Sequence, residues 1–262
     1  MSITIFILGL CVGSFLNVVI FRIHEGRNFI KGRSKCLKCG NELEWYDNIP
    51  LLSYIFLKGK CRHCGIKISA QYPAVEFGTG ILFLISFIVW TDKKLNFPVS
   101  PFIKWGAYGL LLSYLIFTSI LIVIFVYDLR WYLILDKISI PSIIIAFSLN
   151  LFLGFSVWNL LSAAIAISGF FLFQFLISKG KWIGGGDIRL GFLMGAMLGM
   201  PKAILALFIA YIAGSVIGIS LIIFGKKKME SCVPFGAFLA PATYAVMLWG
   251  GDILRWYAGF LK

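Results

Sequence analysis

Two aspartates offer the plainest chemistry in this sequence. Asp187 closes the run Gly184-Gly185-Gly186-Asp187, shortly after one long apolar stretch (157–178) and directly before another (188–200). Asp128 ends a different apolar run as Tyr127-Asp128. A carboxylate at the edge of hydrocarbon costs up to about 2.5–3.5 kcal/mol on insertion scales, so each is a functional-site candidate whose partner must be sought. Two carboxylates in one wet pocket are the minimum apparatus of aspartic-type hydrolysis. One, ionised, takes a proton from water, and the other, protonated, polarises the scissile carbonyl. Charging one disfavours charging the other, so such a pair titrates as a unit and neither member has a fixed role. The glycines predict a tight turn and a close approach by other backbone, since no Cβ stands in the way. Interfacial ion pairs are the competing reading, Asp187 with Arg189 or Lys181 and Asp128 with Arg130. Asp136, beside Lys137, reads as a solvated loop acid.

The second centre is sulfur. Cys36-Leu37-Lys38-Cys39 and Cys61-Arg62-His63-Cys64 are two CxxC pairs with 21 residues between them, close to the roughly 15–20 of zinc sites built this way. Each pair presents two thiolates, and two pairs complete a tetrahedral sulfur site. Gly40 and Gly65 each follow the second cysteine of a pair, where a knuckle turns tightly. Structural zinc is the expectation for Cys36, Cys39, Cys61 and Cys64. Two disulfides are the alternative, but a segment this basic belongs in the cytoplasm, where thiols stay reduced. His63 reads as a surface residue inside its knuckle. Cys11 in the first apolar run and Cys232 near the last read as packing residues.

The elements that must position these groups are membrane helices. The chain has 262 residues, is 60% hydrophobic and only 13% charged, with a mean hydropathy of +0.93. A soluble domain is about 25% charged. Apolar runs near the roughly 20 residues of a spanning helix recur, at about 3–21, 74–90, 105–126, 138–155, 157–177, 188–199, 203–224 and 233–260. The expected fold is an all-α polytopic membrane protein of about eight transmembrane helices, with a small cytoplasmic zinc-knuckle insertion after the first. Residues 1–21 form the first helix, 22–73 the tetracysteine segment and 74–262 the membrane-embedded part. The N-terminus lacks the basic stretch and small-residue cleavage site of a signal peptide and reads as a retained span.

A net charge of +13 fits the positive-inside rule rather than nucleic-acid binding, because the basic residues cluster between spans. Alternate crossings place 18 basic residues inside and 6 outside, with Asp128, Asp187 and Lys226-Lys227-Lys228 all inside. The short run 188–199 is either a true crossing or a re-entrant piece. The inside position of the lysine run favours a crossing.

Several polar residues near the spans carry two readings each. Asn17 sits within the first run, after the small residues Gly13 and Ser14, and serves either an interhelical hydrogen bond or a site. Trp45 to Tyr54, containing Asp47 and Asn48, lies in the membrane interface or builds a ligand pocket. Glu76 opens the second span, complementing the helix dipole or binding a ligand.

Taken together these residues resemble the bacterial type IV prepilin peptidases, bifunctional leader peptidases and N-methyltransferases of the GxGD class. Gly13-Ser14-Phe15-Leu16-Asn17-Val18-Val19 with Arg22 resembles the family's opening, and Cys36, Cys39, Cys61 and Cys64 its tetracysteine motif. Trp45-Tyr46-Asp47-Asn48-Ile49-Pro50 and Ile68-Ser69-Ala70-Gln71-Tyr72-Pro73 through Glu76 are similar to the flanking segments. Asp128 and Asp187 fall on the catalytic aspartates, and Gly184 and Gly186 on the fixed glycines. The likeness covers nearly the whole chain. One departure is Leu135 before Asp136, where the family often has proline. Presenilin-type proteases also pair Tyr-Asp with GxGD but lack the cysteine segment.

The resemblance implies removal of the basic leader of prepilins or pseudopilins after a glycine, at the cytoplasmic face of the inner membrane. It further implies methylation of the new N-terminus from S-adenosylmethionine. No Gly-rich nucleotide fingerprint marks a methyl-donor site. Asn17, Arg22, Trp45, Asp47, Asn48 and Glu76 are candidate cofactor or substrate contacts. Besides the bilayer and the substrate no partner is implied, and the oligomeric state stays open. A transporter using the aspartates as proton relays and a scaffold bearing a zinc interaction module are the readings from other classes.

Overall fold

The computed structural model describes residues 1–28, 32–36, 38–94, 101–224 and 234–260, with backbone alone for 101–106 and 222. The chain divides into two compact units, 1–98 and 99–262. Among the described residues the secondary structure is helical, apart from two isolated β-bridges.

Unit 1 is a helix pair with an insertion. α1 (Ser2–His24) and α3 (Gln71–Lys94) pack along most of their lengths. α1 is 23 residues, about 34 Å at 1.5 Å per residue, enough for a hydrocarbon core of about 30 Å. Lipid tails are as apolar as leucine, so the pair is held by close backbone approach and interhelical hydrogen bonds. Gly9 and Gly13 both need the absence of a side chain: a Cβ would lie 2.7 Å from the Gly80 Cα at the first and 2.8 Å from the Glu76 Cα at the second. One turn on, Asn17 is buried and its Nδ2 donates to the Tyr72 carbonyl at 3.1 Å. Phe21 then stacks on the Tyr72 ring, centroids 5.0 Å apart. Cys11 is exposed on α1 rather than packed, because the helix turns its small residues, not this one, toward α3. Between the helices lie the cysteine knuckles, a 3₁₀ turn (Trp45–Asn48) and the short α2 (Leu52–Phe56).

Unit 2 holds α4 (Pro101–Trp131), α5 (Asp136–Phe152), α6 (Val157–Ser178), α7 (Gly185–Leu198), α8 (Lys202–Ile223) and α9 (Gly236–Phe260). α9 packs against α4 and α8, while α7 packs against α5, α6 and α9. Six described helices, α1, α3, α4, α6, α8 and α9, are long and apolar enough to cross a membrane. α5 with 17 residues and α7 with 14 reach only about 26 and 21 Å. α7 is short yet deeply buried, from Leu190 to Leu198 except Phe192. Its neighbours are protein, so the length that lipid would demand does not apply to it.

Two expected boundaries move. α4 continues to Trp131 instead of stopping near 126, which places Asp128 inside its last turns. The glycine stretch is a helix start rather than a tight turn. Gly184 is the N-cap, with extended backbone at φ −80 and ψ 156, which any residue adopts. Lys226–Lys228 and Cys232 lie outside the described residues.

Candidate active site

Both aspartates accept an N–H from the start of a helix. Asp128 is buried near the end of α4, and its Oδ2 accepts the Ala237 N–H from the first turn of α9 at 3.0 Å. α4 stops soon afterwards: Tyr132 donates to the Asp128 carbonyl at 2.8 Å and takes φ 56, a left-handed conformation. Asp187 is buried in the first turn of α7, and its Oδ2 accepts the Gly184 N–H at 3.0 Å. The first N–H groups of a helix have no intrahelical partner and the dipole there is positive, so each carboxylate satisfies an orphan donor. The two acids are near enough that the charge of Asp128 acts on Asp187.

Ile134, in the connection between α4 and α5, is the common neighbour of both halves. A Cβ on Gly186 would lie 2.8 Å from the Ile134 Cβ. A Cβ on Gly236 would lie 2.8 Å from Asp128 Oδ2 and 3.3 Å from Ile134 Cδ1. One glycine thus precedes Asp187, the other precedes the amide that holds Asp128, and the isoleucine lies against both. Gly184 and Gly185 have no such crowding: a Cβ on the first would make ordinary contact with Asp187, and on the second would meet open space. Of the three glycines, Gly186 is the one that the packing demands.

The competing ion pair for Asp187 through Arg189 does not form, because Arg189 is paired with Asp136. Asp136 opens α5 rather than lying in a loop, and both members of the pair are exposed. The Arg130 guanidinium lies over the Trp131 ring, 4.9 Å from its centroid.

Sequence reasoning missed Ile134, Gly236, Ala237 and the hydrogen-bonded pair Tyr211–Gln174. Tyr211 on α8 is close enough to interact electrostatically with Asp187. Its hydroxyl donates to Gln174 Oε1 on α6 at 2.9 Å, and its ring lies 4.9 Å from that of Phe235. A signal existed for some of these. Gln174 and Tyr211 are polar groups inside apolar runs and need partners. Phe235-Gly236 opens a span with a glycine, as Gly184 does. Nothing in the sequence marks Ile134.

The cysteines meet. Their four sulfurs lie within 4.8 Å of one another, and Cys36 and Cys64, from different pairs, are 3.8 Å apart. Tetrahedral zinc with bonds of about 2.3 Å spaces its sulfurs about 3.8 Å apart, so the donor set fits that ion. The two knuckles repeat one geometry. Cys36 and Cys61 donate to the carbonyls of Asn41 and Ile66, and Gly40 and Gly65 donate back to the cysteine carbonyls. Gly40 and Gly65 take φ 71 and 69, where a side chain would be strained. The Cys39 and Lys38 N–H groups hold the Cys36 thiol down at about 6. His63 is exposed.

The other candidates fall into two groups in unit 1. Asn17 and Glu76 line the α1–α3 seam. Glu76 is buried, and its Oε2 accepts the Leu51 N–H at 2.8 Å. Leu51 takes φ 60, a strained conformation for a leucine, and that carboxylate fixes its amide. The Asn17 Oδ1 is buried and has no hydrogen-bond partner among the described residues. Arg22 donates to the Asn28 and Gly32 carbonyls, tying the end of α1 to the chain that enters the knuckles. Asp47 and Asn48 belong to the 3₁₀ turn. Asp47 Oδ1 accepts Arg62 Nε and Nη2 at 3.0 and 2.9 Å, and the guanidinium lies over the Tyr46 ring. Asn48 donates to the Glu44 carbonyl, and Trp45 stands exposed against Tyr46.

Fold and site together define a polytopic helical membrane protein with a pair of buried carboxylates, each capped into a helix N-terminus. Residues 7–90 match the Bacterial Peptidase A24 N-terminal domain and 115–219 the Type IV leader peptidase family. A prepilin leader peptidase/N-methyltransferase of Aeromonas salmonicida (strain A449) is 30% identical over 284 residues, covering 97% of this chain and 92% of that one. One of the same description from Myxococcus xanthus (strain DK1622) is 32% identical over 229 residues, covering 85% and 63%. That of Aeromonas hydrophila is 31% identical over 283 residues, covering 97% and 92%. No solved structure matches. The chain belongs to the type IV leader peptidase family.

Proposed function

We propose that this protein removes the basic leader of type IV prepilins or pseudopilins with Asp128 and Asp187, and then methylates the exposed N-terminus. The observation that carries the reading is the pair of buried carboxylates, each held by an N–H at a helix start, with Ile134 against the glycine beside each of those helix starts, in a chain of this family.

The N–H bonds leave each acid one oxygen for chemistry. The ionised member takes a proton from water, whose oxygen attacks the scissile carbonyl carbon. The protonated member donates to the carbonyl oxygen as negative charge develops there. As the tetrahedral intermediate collapses, the C–N bond breaks and the leaving amine takes up a proton from the pair. No covalent enzyme intermediate is needed. A basic leader stays in the cytoplasm while the apolar helix behind it lies in the bilayer. An inner-face dyad therefore meets the bond between them, which is the supporting argument for a cytoplasmic site in the inner membrane.

S-adenosylmethionine supplies the electrophilic methyl carbon for the second reaction. We assign that reaction to unit 1. The seam between α1 and α3 offers the buried Asn17 Oδ1, an acceptor to which an amine N–H can donate, with Glu76 one turn away. Zinc held by Cys36, Cys39, Cys61 and Cys64 would lock the knuckles that carry Arg62 and hence the Asp47 turn.

The test uses purified protein and a prepilin with its leader, with and without S-adenosylmethionine, read by intact mass. Wild type should lose the leader and, with the methyl donor, gain one methyl group. Asp128→Asn and Asp187→Asn should each slow cleavage by about 10²–10⁴-fold. Cleavage by either variant at the wild-type rate would exclude the dyad.

A further inference from the structure

Unit 1 carries an apolar surface that its membrane helices do not explain. Outside the spans, Trp45 is 76% exposed, Leu52 52%, Ile55 66% and Phe56 80%. Leu52, Ile55 and Phe56 stand at i, i+3 and i+4 of α2 and share one face. α2 packs against the turn that carries Trp45. Large apolar side chains grouped and exposed in this way mark a contact surface.

Position limits what that surface can meet. α1 and α3 run antiparallel, since Gly13 lies against Glu76 and, one turn along, Asn17 against Tyr72. His24 and Gln71 therefore leave the bilayer on the same side, and the 25–70 segment is tethered to that surface at both ends. Glu76 shortens the tether further. It lies in the second turn of a helix apolar and long enough to span, and its carboxylate holds the Leu51 N–H directly before α2. The apolar face of α2 is thus one hydrogen bond away from a spanning helix at the level where that helix enters the membrane.

Charge identifies the occupant. Residues 22–73 hold ten basic side chains against four acidic ones, and Lys58 and Lys60, directly after α2, are exposed. We propose that Trp45, Leu52, Ile55 and Phe56 form a shallow anchor that lies in the interface of an anionic leaflet, with Lys58 and Lys60 on the lipid headgroups. Tryptophan is the residue enriched at that depth. An apolar face bordered by lysines is the pattern of helices that lie in the interface plane, and the lysines are drawn to anionic lipid within a Debye length. The proposal goes beyond the hydrolytic reading and holds whether or not the dyad is catalytic.

The experiment replaces Phe56, and separately Ile55, with the photoreactive p-benzoylphenylalanine in the full chain. The exposed His63 is replaced likewise as the control. Each protein is placed in nanodiscs of phosphatidylglycerol with phosphatidylethanolamine, or of phosphatidylcholine alone, checked for zinc content, illuminated and mapped by mass. Lipid adducts should form at 56 and 55 several-fold more than at 63, and more in the anionic discs. In Lys58→Glu/Lys60→Glu that preference for anionic discs should vanish. Cross-links from 56 and 55 to protein, equal lipid labelling at 63, or no preference for anionic lipid would each overturn the proposal. Leader cleavage, measured separately, does not enter this readout.

Discussion

The Asp128 carboxylate accepts the Ala237 N–H at 3.0 Å, a bond between residues 109 positions apart. It joins the end of α4 to the start of α9 and turns an unpaired helix N-terminus toward the acid. Asp187 obtains the same support locally, from Gly184 three residues before it. One acid is therefore positioned by tertiary structure and the other by its own helix, and their variants should respond differently.

Gly236→Ala tests the tertiary half. The new methyl group would sit 2.8 Å from Asp128 Oδ2, so the carboxylate must shift by a few tenths of an ångström or more. Misplacement by about 1 Å can cost about 10²-fold in rate. Leader cleavage should fall by about 10–10²-fold while thermal unfolding in detergent changes little. An unchanged rate would show that Asp128 does not act from this position.

Gly186→Ala and Gly185→Ala separate sterics from propensity. Both replace glycine in the first turn of α7, where alanine ordinarily stabilises a helix by about 0.5–1 kcal/mol. At 185 a Cβ meets open space, and at 186 it meets Ile134 Cβ at 2.8 Å. Gly185→Ala should keep its activity, whereas Gly186→Ala should lose most of it. Ile134→Gly in the Gly186→Ala background should restore a measurable part. Parallel rate measurements decide the matter.

Gly195→Ala should act on stability instead. Gly195 lies directly against the Ala163–Ala164 backbone of α6, with no flexible side chain to yield. Overpacking of this kind costs about 1–3 kcal/mol. Thermal unfolding should show that loss, with cleavage per folded molecule retained.

Metal removal should separate the two activities. Stripping zinc with a chelator, or substituting Cys36→Ser, frees the knuckles that hold Arg62 over Tyr46 and against Asp47. Methyl transfer should fall while leader cleavage, in unit 2, persists. Protons compete with metal for the thiolates. Affinity should therefore rise with pH and fall as acid protonates the four sulfurs, Cys36 being the thiol that its neighbours' N–H groups keep ionised to lowest pH. Zinc release against pH, followed with a metal indicator dye, checks the direction.

Arg62→Ala should loosen the 3₁₀ turn. It removes both guanidinium bonds to an Asp47 side chain that is almost fully buried, 3% exposed. A bond to a charged group is worth about 1.5–3 kcal/mol, and the lower end applies because Arg62 itself is half exposed. Faster hydrogen exchange confined to 44–48 is the expected sign.

The sequence by itself determined the parts with a local signature. Apolar runs set the helices, because each span must satisfy its own backbone hydrogen bonds and be long enough for the bilayer. Paired CxxC spacing marked the four sulfurs, because ligands two residues apart share one ion wherever the chain goes. Asp128 and Asp187 stood out because an acid beside hydrocarbon is costly without a purpose. What only the tertiary structure decided is what surrounds them: the Ala237 amide on Asp128, Tyr211 within electrostatic reach of Asp187 and bonded to Gln174, and Ile134 between Gly186 and Gly236. It also decided that the glycine run starts a helix, and that Gly186 rather than its neighbours is required. These depend on which helices meet and how closely, and in a membrane that follows from side-chain shape at contacts far apart in the chain.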